Sequence, residues 1–287
     1  MSFNTPLRYP GGKGRLTQYM GHVIELNGLT DGHYVEPYAG GAGIAVSLLF
    51  LEYIRKIHLN DVNPSVYSFW ASVLDHTEEM CRLIHDTPVT IEEWQRQREV
   101  QKRRDEANTL ELGFSTFFLN RTNRSGIISG GVIGGIYQTG DWKIYARFNK
   151  EDLIKRIKKI ATFKSRISLT KMDASLFIRG YLPEIPEKSL VYLDPPYYVK
   201  GQGLYDNHYC HEDHDEIAYL VRHSIKQHWI VSYDNHDEIR KLYAEFRQEE
   251  FGLHYSANNR FTGKEVMIFQ DGLKTPDMVE PSRSRAV

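Results

Sequence analysis

Cysteine is nearly absent: Cys81 and Cys210 are the only two in 287 residues. Two thiols build neither a disulfide framework nor a thiolate metal site, so the fold has to rest on a packed core. Long apolar runs are absent too, since none approaches the ~18 residues of a membrane span. Met1-Ser2-Phe3-Asn4-Thr5-Pro6 has no secretory-leader pattern. A cytoplasmic chain with reduced thiols and no membrane association is the expectation. The standard nucleotide signatures are missing as well. Gly40-Gly41-Ala42-Gly43 does not follow G-x-G-x-x-G, and no Walker lysine comes after it. Dinucleotide and nucleoside-triphosphate readings lose weight accordingly.

Net charge is the last absence, −1 at neutral pH, and it conceals a segregation. Between Gln95 and Lys171 there are 17 Lys and Arg against 7 Asp and Glu, a surplus of 10. The rest of the chain holds 19 basic and 30 acidic residues, a deficit of 11. A basic block on a near-neutral protein is the footprint of a polyanion partner, although solvated helix faces also produce charge runs. The remaining composition, 41% hydrophobic and 25% charged, is that of an ordinary soluble protein. The length allows one large or two modest domains.

What is present centres on Leu190-Val191-Tyr192-Leu193-Asp194-Pro195-Pro196-Tyr197-Tyr198. The short β-prone apolar run reads as a buried strand. The prolines lack N–H donors, so the strand stops at Asp194. A carboxylate, a rigid turn and a ring then stand at the carboxyl edge of a sheet, where open α/β sheets bind ligands. Taken alone, the motif is also consistent with a Pro-rich loop of no chemistry.

Earlier in the chain, Leu7 to Arg15 is a Gly-rich turn that carries Tyr9 and Lys13. It reads as a surface turn or as a close backbone approach to a ligand. Tyr34-Val35-Glu36 reads as a strand, Pro37 to Gly43 as a glycine loop, and Ile44 to Tyr53 as an apolar helix. This is the strand, turn and helix of a nucleotide-type pocket. Ile57 to Asn60 reads as a second strand ending in Asp61. Asp61 lies 18 residues after Gly43, near the ~20-residue spacing of a ribose-binding acid, and a helix-capping role is the alternative.

The middle of the chain looks helical from Val66 to Thr109. Asn120-Arg121-Thr122-Asn123-Arg124-Ser125-Gly126 follows, then a glycine-interrupted segment to Gly140 that reads as a β-hairpin or loop. Arg and Asn are the side chains that read guanine and adenine edges, and they are also ordinary surface residues. Lys150 to Ala161 is amphipathic, with Lys155, Arg156, Lys158 and Lys159 opposite an apolar face. Those cations suit phosphate contact or plain solvation. Ile167 to Thr170 returns to the sheet and Asp173 follows it. The polar stretch from Lys200 to Asp215 contains His208, Cys210, His211, Asp213 and His214, but zinc-site spacings do not fit it, and no metal is expected. Asp215 to Val221 reads as helix, Trp229 to Ser232 as a buried strand, and Phe251 to Tyr255 with Val266 to Phe269 as a terminal hairpin. Lys274 to Val287 reads as a frayed tail.

Six pieces in this order carry a resemblance. Arg8-Tyr9-Pro10-Gly11-Gly12-Lys13, Glu36-Pro37-Tyr38-Ala39-Gly40-Gly41, Asn60-Asp61-Val62-Asn63, Asn120-Arg121-Thr122 to Gly126, Asp194-Pro195-Pro196-Tyr197 and Ser232-Tyr233-Asp234 resemble the Dam-like DNA adenine-N6 methyltransferases, also called the D12 class. They span nearly all of residues 7–270. The first piece commonly has Trp in that family and here has Tyr9, which still offers a ring. The order of cofactor loop, target-recognition segment and Asp-Pro-Pro-Tyr is similar to the α group of amino methyltransferases.

The resemblance implies an α/β fold, a Rossmann-like methyltransferase sheet with a mainly helical target-recognition insertion. Residues 1–65 and 166–273 would form the catalytic domain that binds S-adenosylmethionine, 66–165 the DNA-binding domain, and 274–287 a flexible tail. It implies a monomer acting on double-stranded DNA in a prokaryotic or phage-infected cell. Carried over residue by residue, Tyr9, Lys13, Asp61, Asp173 and Asp194 look like cofactor contacts, with Glu36, Pro37, Tyr38, Gly40 and Gly41 at the methionine end. Asp194, Pro195, Pro196 and Tyr197 look like the catalytic group. Arg8, Asn120, Arg121, Asn123 and Arg124 are the candidates for DNA contact. Cytosine-N4 methylation is the related alternative, but those enzymes more often carry Ser where Asp194 stands. A binding module without catalysis is another, and the intact Asp194, Tyr197, Lys13 and Asp61 argue against it. A nicotinamide dehydrogenase is disfavoured by the glycine spacing.

Overall fold

The computed structural model describes residues 4–8, 13–198, 209–254 and 262–276. Seven strands make one sheet: β1 (His33–Glu36), β2 (Lys56–Asn60), β3 (Ile167–Thr170), β4 (Ser189–Leu193), β5 (His228–Asp234), β6 (Arg247–His254) and β7 (Thr262–Phe269). Their order is β3-β2-β1-β4-β5-β7-β6. The first five run parallel, β7 pairs antiparallel with β5, and β6 closes the edge antiparallel to β7. The expected Rossmann-like sheet is therefore present, with the expected terminal hairpin as its antiparallel end.

Helices cover both faces, so the central strands are apolar throughout rather than alternating. All five residues of β4 are buried. Side-chain alternation splits them between two cores. Leu190 and Tyr192 join Tyr34, Ile57, Leu59, Ile230, Met267 and Phe269 on one face. Val191 and Leu193 join Val35, Val231, Tyr233, Val266 and Ile268 on the other. The first core is covered by α1 (Thr17–Leu26) and α2 (Gly43–Phe50), the second by α8 (Ala174–Leu176, continuing as a π-turn over Phe177–Tyr181), α9 (His211–His223) and α10 (Asp237–Leu242).

Between β2 and β3 the chain inserts α3 (Pro64–Asp75), α4 (Thr77–Asp86), α5 (Ile91–Lys102), α6 (Thr109–Thr122) and α7 (Lys150–Ala161). Asn63, Thr90, Asn108 and Asn149 cap α3, α5, α6 and α7 by accepting backbone N–H bonds in the first turn. Gly113 lets α6 lie directly on α3, because a Cβ there would sit 2.5 Å from the Ser68 carbonyl oxygen. Phe69 of α3 stacks on Phe117 of α6 at 6.2 Å between ring centres. Phe69, Trp70 and Phe117 belong to the same core as Tyr34 and Leu190, so the insertion's helices share apolar packing with the sheet. The segment after α6 is a series of turns with an isolated bridge between Asn123 and Val132, the loop form of the two expected alternatives. No helix among the described residues is long and apolar enough to cross a membrane.

The strand order reverses between β1 and β4. Crossovers lead from β1 outward to β2 and β3 on one side and from β4 to β5 on the other. The loops leaving β1 and β4 therefore diverge and open a crevice at their carboxyl ends. These loops are Pro37–Ala42 and Asp194–Tyr197, two of the six pieces singled out by sequence.

Candidate active site

Asp194 directly follows β4 and meets Lys13, which is buried, at 2.9 Å. The same ammonium reaches Glu265 Oε2 at 2.7 Å and Ser232 Oγ at 3.3 Å, which uses its three N–H donors. Ser232 donates its one hydroxyl proton to Asp194 Oδ1 at 2.7 Å. The Tyr192 hydroxyl, 2.7 Å from Ser232 Oγ, must then be the donor in that contact. Tyr197 donates its hydroxyl to Glu265 Oε1 at 2.8 Å. Burial by itself would lower the Lys13 pKa, but Asp194, Tyr192 and Glu265 outweigh it and hold it well above the ordinary value. Lys13 is thus a fixed cation. The donors found on Asp194 among the described residues all go to Oδ1, and its side chain keeps 31% exposure. Oδ2 takes none of those bonds.

Beside this network lies the glycine loop after β1. Gly40 and Ala42 both adopt positive φ, 44° and 43°, which folds the loop tightly before α2 begins. Its position is set by hydrogen bonds from outside: Gly40 N–H donates to Asp61 Oδ2 at 2.9 Å, and Trp70 Nε1 donates to the Gly40 carbonyl at 2.9 Å. Asn60, fully buried at the end of β2, donates to the carbonyls of Pro37 and Met172 at 3.0 and 2.9 Å. One amide thereby ties together the loops after β1, β2 and β3, and with them Asp61 and Asp173. Asp61 also accepts the Asn63 N–H at 3.0 Å. Burial pushes its pKa up to about 6 against the pull of these two N–H groups. Asp173 caps α8 through the Ser175 N–H and hydroxyl, both at 2.8 Å. Glu36 is buried, and burial raises its pKa to about 8, with the Ala45 N–H opposing and the Asp194 charge adding to the rise. Tyr38 shares a 3.0 Å hydroxyl contact with Tyr209.

The structure thus brings Lys13, Glu36, Pro37, Tyr38, Gly40, Gly41, Asp61, Asp173, Asp194, Pro195, Pro196 and Tyr197 to the carboxyl edge of the parallel strands. Tyr9 lies outside the described residues. Tyr197 is 8% exposed, and its hydroxyl is held by Glu265.

The five DNA candidates separate into two kinds. Asn120 and Asn123 are buried and face inward, which differs from the sequence reading of both as groove contacts. Asn120 accepts the Arg8 N–H at 2.7 Å and donates to the carbonyls of Arg8 and Gly126 at 2.6 and 2.8 Å. Asn123 accepts from Trp94 Nε1 at 2.6 Å and donates to the carbonyls of Ile127 and Ile128 at 2.9 and 2.8 Å. With these bonds made, each amide holds a turn. Arg124 is exposed. Arg121 donates through Nε and Nη2 to the Arg147 carbonyl at 2.8 and 2.5 Å. Burial, then the nearby charges of Arg8, Arg156 and Arg147, lower its pKa to about 10, with Asp152 opposing. Four guanidinium groups from distant parts of the chain therefore crowd one place. On α7 Lys158 and Lys159 stay exposed, and the cations make surface contacts: Lys158 meets Glu78 at 3.3 Å, Arg156 meets Asp152 at 2.6 Å, and Lys159 lies over the Phe50 ring.

The His and Cys cluster has structural partners. Cys210 precedes α9 and donates its N–H to Asp213 at 2.7 Å, His214 is buried against the Tyr233 hydroxyl at 3.0 Å, and His211 contacts the Tyr198 hydroxyl at 3.1 Å. Among the described residues no group of three or more His, Cys, Asp or Glu is placed to hold a metal, and His208 lies outside them. Sequence reasoning missed Glu265 and the roles of Ser232 and Tyr192. The available signal was a charged residue directly before the apolar run Val266–Phe269.

A parallel sheet with an antiparallel hairpin at one edge, and a glycine loop facing an Asp-Pro-Pro-Tyr turn across its switch point, define a Rossmann-like methyltransferase. The sequence model of the D12 class N6 adenine-specific DNA methyltransferases matches residues 9–260, and the chain belongs to that family. It is thus an adenine-specific DNA methyltransferase. No curated protein sequence is significantly similar to it. Among solved structures it is similar to precorrin-6y C5,15-methyltransferase from Geobacter metallireducens, with a TM-score of 0.38 and 10% identity over 89% of this chain and 88% of that one. The rRNA methyltransferase aviRa from Streptomyces viridochromogenes gives a TM-score of 0.36 and 11% identity over 87% and 83%. TrmK from M. capricolum, in complex with S-adenosyl-homocysteine, gives 0.37 and 8% over 90% and 71%.

Proposed function

We propose that the enzyme methylates N6 of an adenine flipped out of double-stranded DNA, at a specific sequence, with S-adenosylmethionine as donor. The observation that carries this reading is the state of Asp194. One carboxylate oxygen is saturated by Lys13 and Ser232, while the side chain stays partly open at the switch point.

The residues around the crevice fit the cofactor by their chemistry. Asp61 still has acceptor capacity for ribose hydroxyls beyond its two N–H bonds. Glu36 would serve the α-ammonium as a carboxylate once that cation offsets the burial that otherwise holds it protonated, and Gly40 and Gly41 admit close backbone approach. When bound, the cofactor supplies an electrophilic methyl group on sulfonium.

Chemistry on an exocyclic amine requires taking the base out of the duplex, at a cost of a few kcal/mol. Adenine N6 is a weak nucleophile because its lone pair is delocalised into the ring. Asp194 Oδ2 and the Pro195 carbonyl would accept its two N–H groups and turn the lone pair toward the methyl. Lys13 and Ser232 hold the carboxylate while this happens, so it needs no reorganisation. Tyr197 would pack on the base. Arg8, Arg121, Arg147 and Arg156 form a cationic cluster suited to phosphates, and Arg124 stands free of burial for a base or backbone contact. The exposed rings of Tyr137, Trp142 and Tyr145 on the same segment add stacking surface.

The test is expression in a host without adenine methylation, followed by digestion of its DNA to nucleosides and sequencing for modified positions. N6-methyladenine at a recurring sequence is the expected result. N4-methylcytosine, or no modified base, rejects the reading.

A further inference from the structure

We infer that Glu265, on the antiparallel strand β7, is a positioning residue for methyl transfer: it holds the Tyr197 ring and the Lys13 ammonium together and so sets the gap between Asp194 and the ring that packs on the base. This inference rests on the proposed function, since it concerns how the adenine is held.

Glu265 is 1% exposed and divides its two oxygens. Oε2 takes Lys13 at 2.7 Å and Oε1 takes the Tyr197 hydroxyl at 2.8 Å. A buried carboxylate is unfavourable unless paired and hydrogen-bonded, and Glu265 is both. Charge balance alone does not explain it. Lys13 already has Asp194 at 2.9 Å, so a second buried acid puts one ammonium between two carboxylates. What Glu265 adds is reach. Tyr197 follows two prolines that stiffen its backbone, and the bond to Glu265 fixes the far end of its ring. Glu265 is also the cross-strand partner of Asp234 on β5, whose Oδ1 accepts the Tyr198 N–H at 2.8 Å. One rung of the β5–β7 ladder therefore holds both tyrosines that follow Pro196. The antiparallel strand takes no part in the switch point, yet through this rung it determines where the ring sits.

The test measures transfer of tritiated methyl from S-adenosylmethionine to genomic DNA of a host lacking adenine methylation. Wild type is compared with Glu265→Gln, Glu265→Asp, Tyr197→Phe and the double variant Glu265→Gln/Tyr197→Phe. Glu265→Gln is expected to lower kcat about tenfold or more, with KM for DNA and cofactor affinity within about threefold. Glu265→Asp keeps the charge but loses a methylene of reach, and is expected to fall equally far. Tyr197→Phe removes only the hydroxyl and should lower kcat. The double variant should then lose much less than the product of the two single losses, because both act on one contact: the single acceptor oxygen of Gln cannot serve the Lys13 ammonium and the Tyr197 hydroxyl at once. Wild-type kcat in Glu265→Gln overturns the inference, as does recovery in Glu265→Asp, which would mean that charge alone matters. A multiplicative double variant overturns it too. If the Gln variant melts well below wild type, Tyr197→Phe decides by itself: unchanged kcat in that stable variant rejects the positioning bond. A wild-type enzyme that methylates no adenine rejects the proposed function and the inference with it, an outcome distinct from variants that match an active wild type.

Discussion

Lys13 and Asp194 are 181 positions apart in the chain and 2.9 Å apart in the fold. The contact joins the first residue of the 3-10 turn that leads into α1 to the residue that follows the central strand β4. It makes the short 3-10 turn Lys13–Leu16 one wall of the candidate active site. It also explains why an alkyl ammonium is tolerated at near-complete burial: two carboxylates and a hydroxyl meet its three donors.

Replacing Lys13 by Met should therefore be severe for stability as well as for activity. Glu265 would stay buried and lose the Lys13 ammonium, and Asp194 would lose half of the support for Oδ1. Removing one partner of a buried pair costs about 3–5 kcal/mol. Urea unfolding of the variant should show a loss of that order, and a loss near zero would contradict the network.

Glu36 makes stability depend on pH. Burial keeps it protonated up to about pH 8 in the folded protein. In the unfolded chain it ionises in the ordinary carboxylate range, so over the interval between, the native state binds the extra proton. Stability contributed by that proton is present at low pH and is lost as pH rises through about 8. Glu36→Gln is neutral at every pH and nearly the same size. Its Tm relative to wild type, measured without cofactor, should rise from pH 5 to about pH 8 and level off above it. A difference that does not change with pH would show that Glu36 ionises normally.

Asn120 was legible as a motif residue and not as a structural one. Its amide joins Arg8 to the turn at Gly126. Asn120→Ala should destabilise the protein by about 1–3 kcal/mol through the buried groups left unpaired. The methylated sequence should stay the same in DNA from cells expressing the variant. A changed sequence would assign it to base reading.

Arg8 belongs to the four-guanidinium cluster, and its pKa is lowered by burial and by Arg147. If the cluster receives phosphate, Arg8→Ala should weaken binding to all duplexes alike. The slope of log K against log salt should fall in magnitude by about 1. Weaker binding at only one sequence, with an unchanged slope, would instead make Arg8 a base contact.

Strand and helix positions were largely readable because they depend on local pattern. The amphipathic period marks α7 over Lys150–Ala161, and the apolar run before Asp194-Pro195 marks the end of β4. The glycine loop, Asp61 and Asp194 were readable for a similar reason: each lies where a strand gives way to a turn, and such boundaries have composition signatures. The direction in which a polar side chain points has no such signature. Asn120 and Asn123 sit in a segment rich in arginine and look like surface residues, yet α6 packs on α3 and rotates both inward. The cations of α7 suit phosphate or solvent by pattern alone, and only the packing of α4 beside α7 shows that one of them, Lys158, meets Glu78 in an exposed ion pair.

By itself, the sequence determined the order of the elements, the switch-point chemistry and the family, because rigid turns and hydrophobic periods are short-range properties. Only the tertiary structure decided that Lys13 closes on Asp194 and that Glu265 reaches Tyr197. Those contacts depend on strand order and register across 181 and 68 residues of intervening chain, which no local pattern encodes.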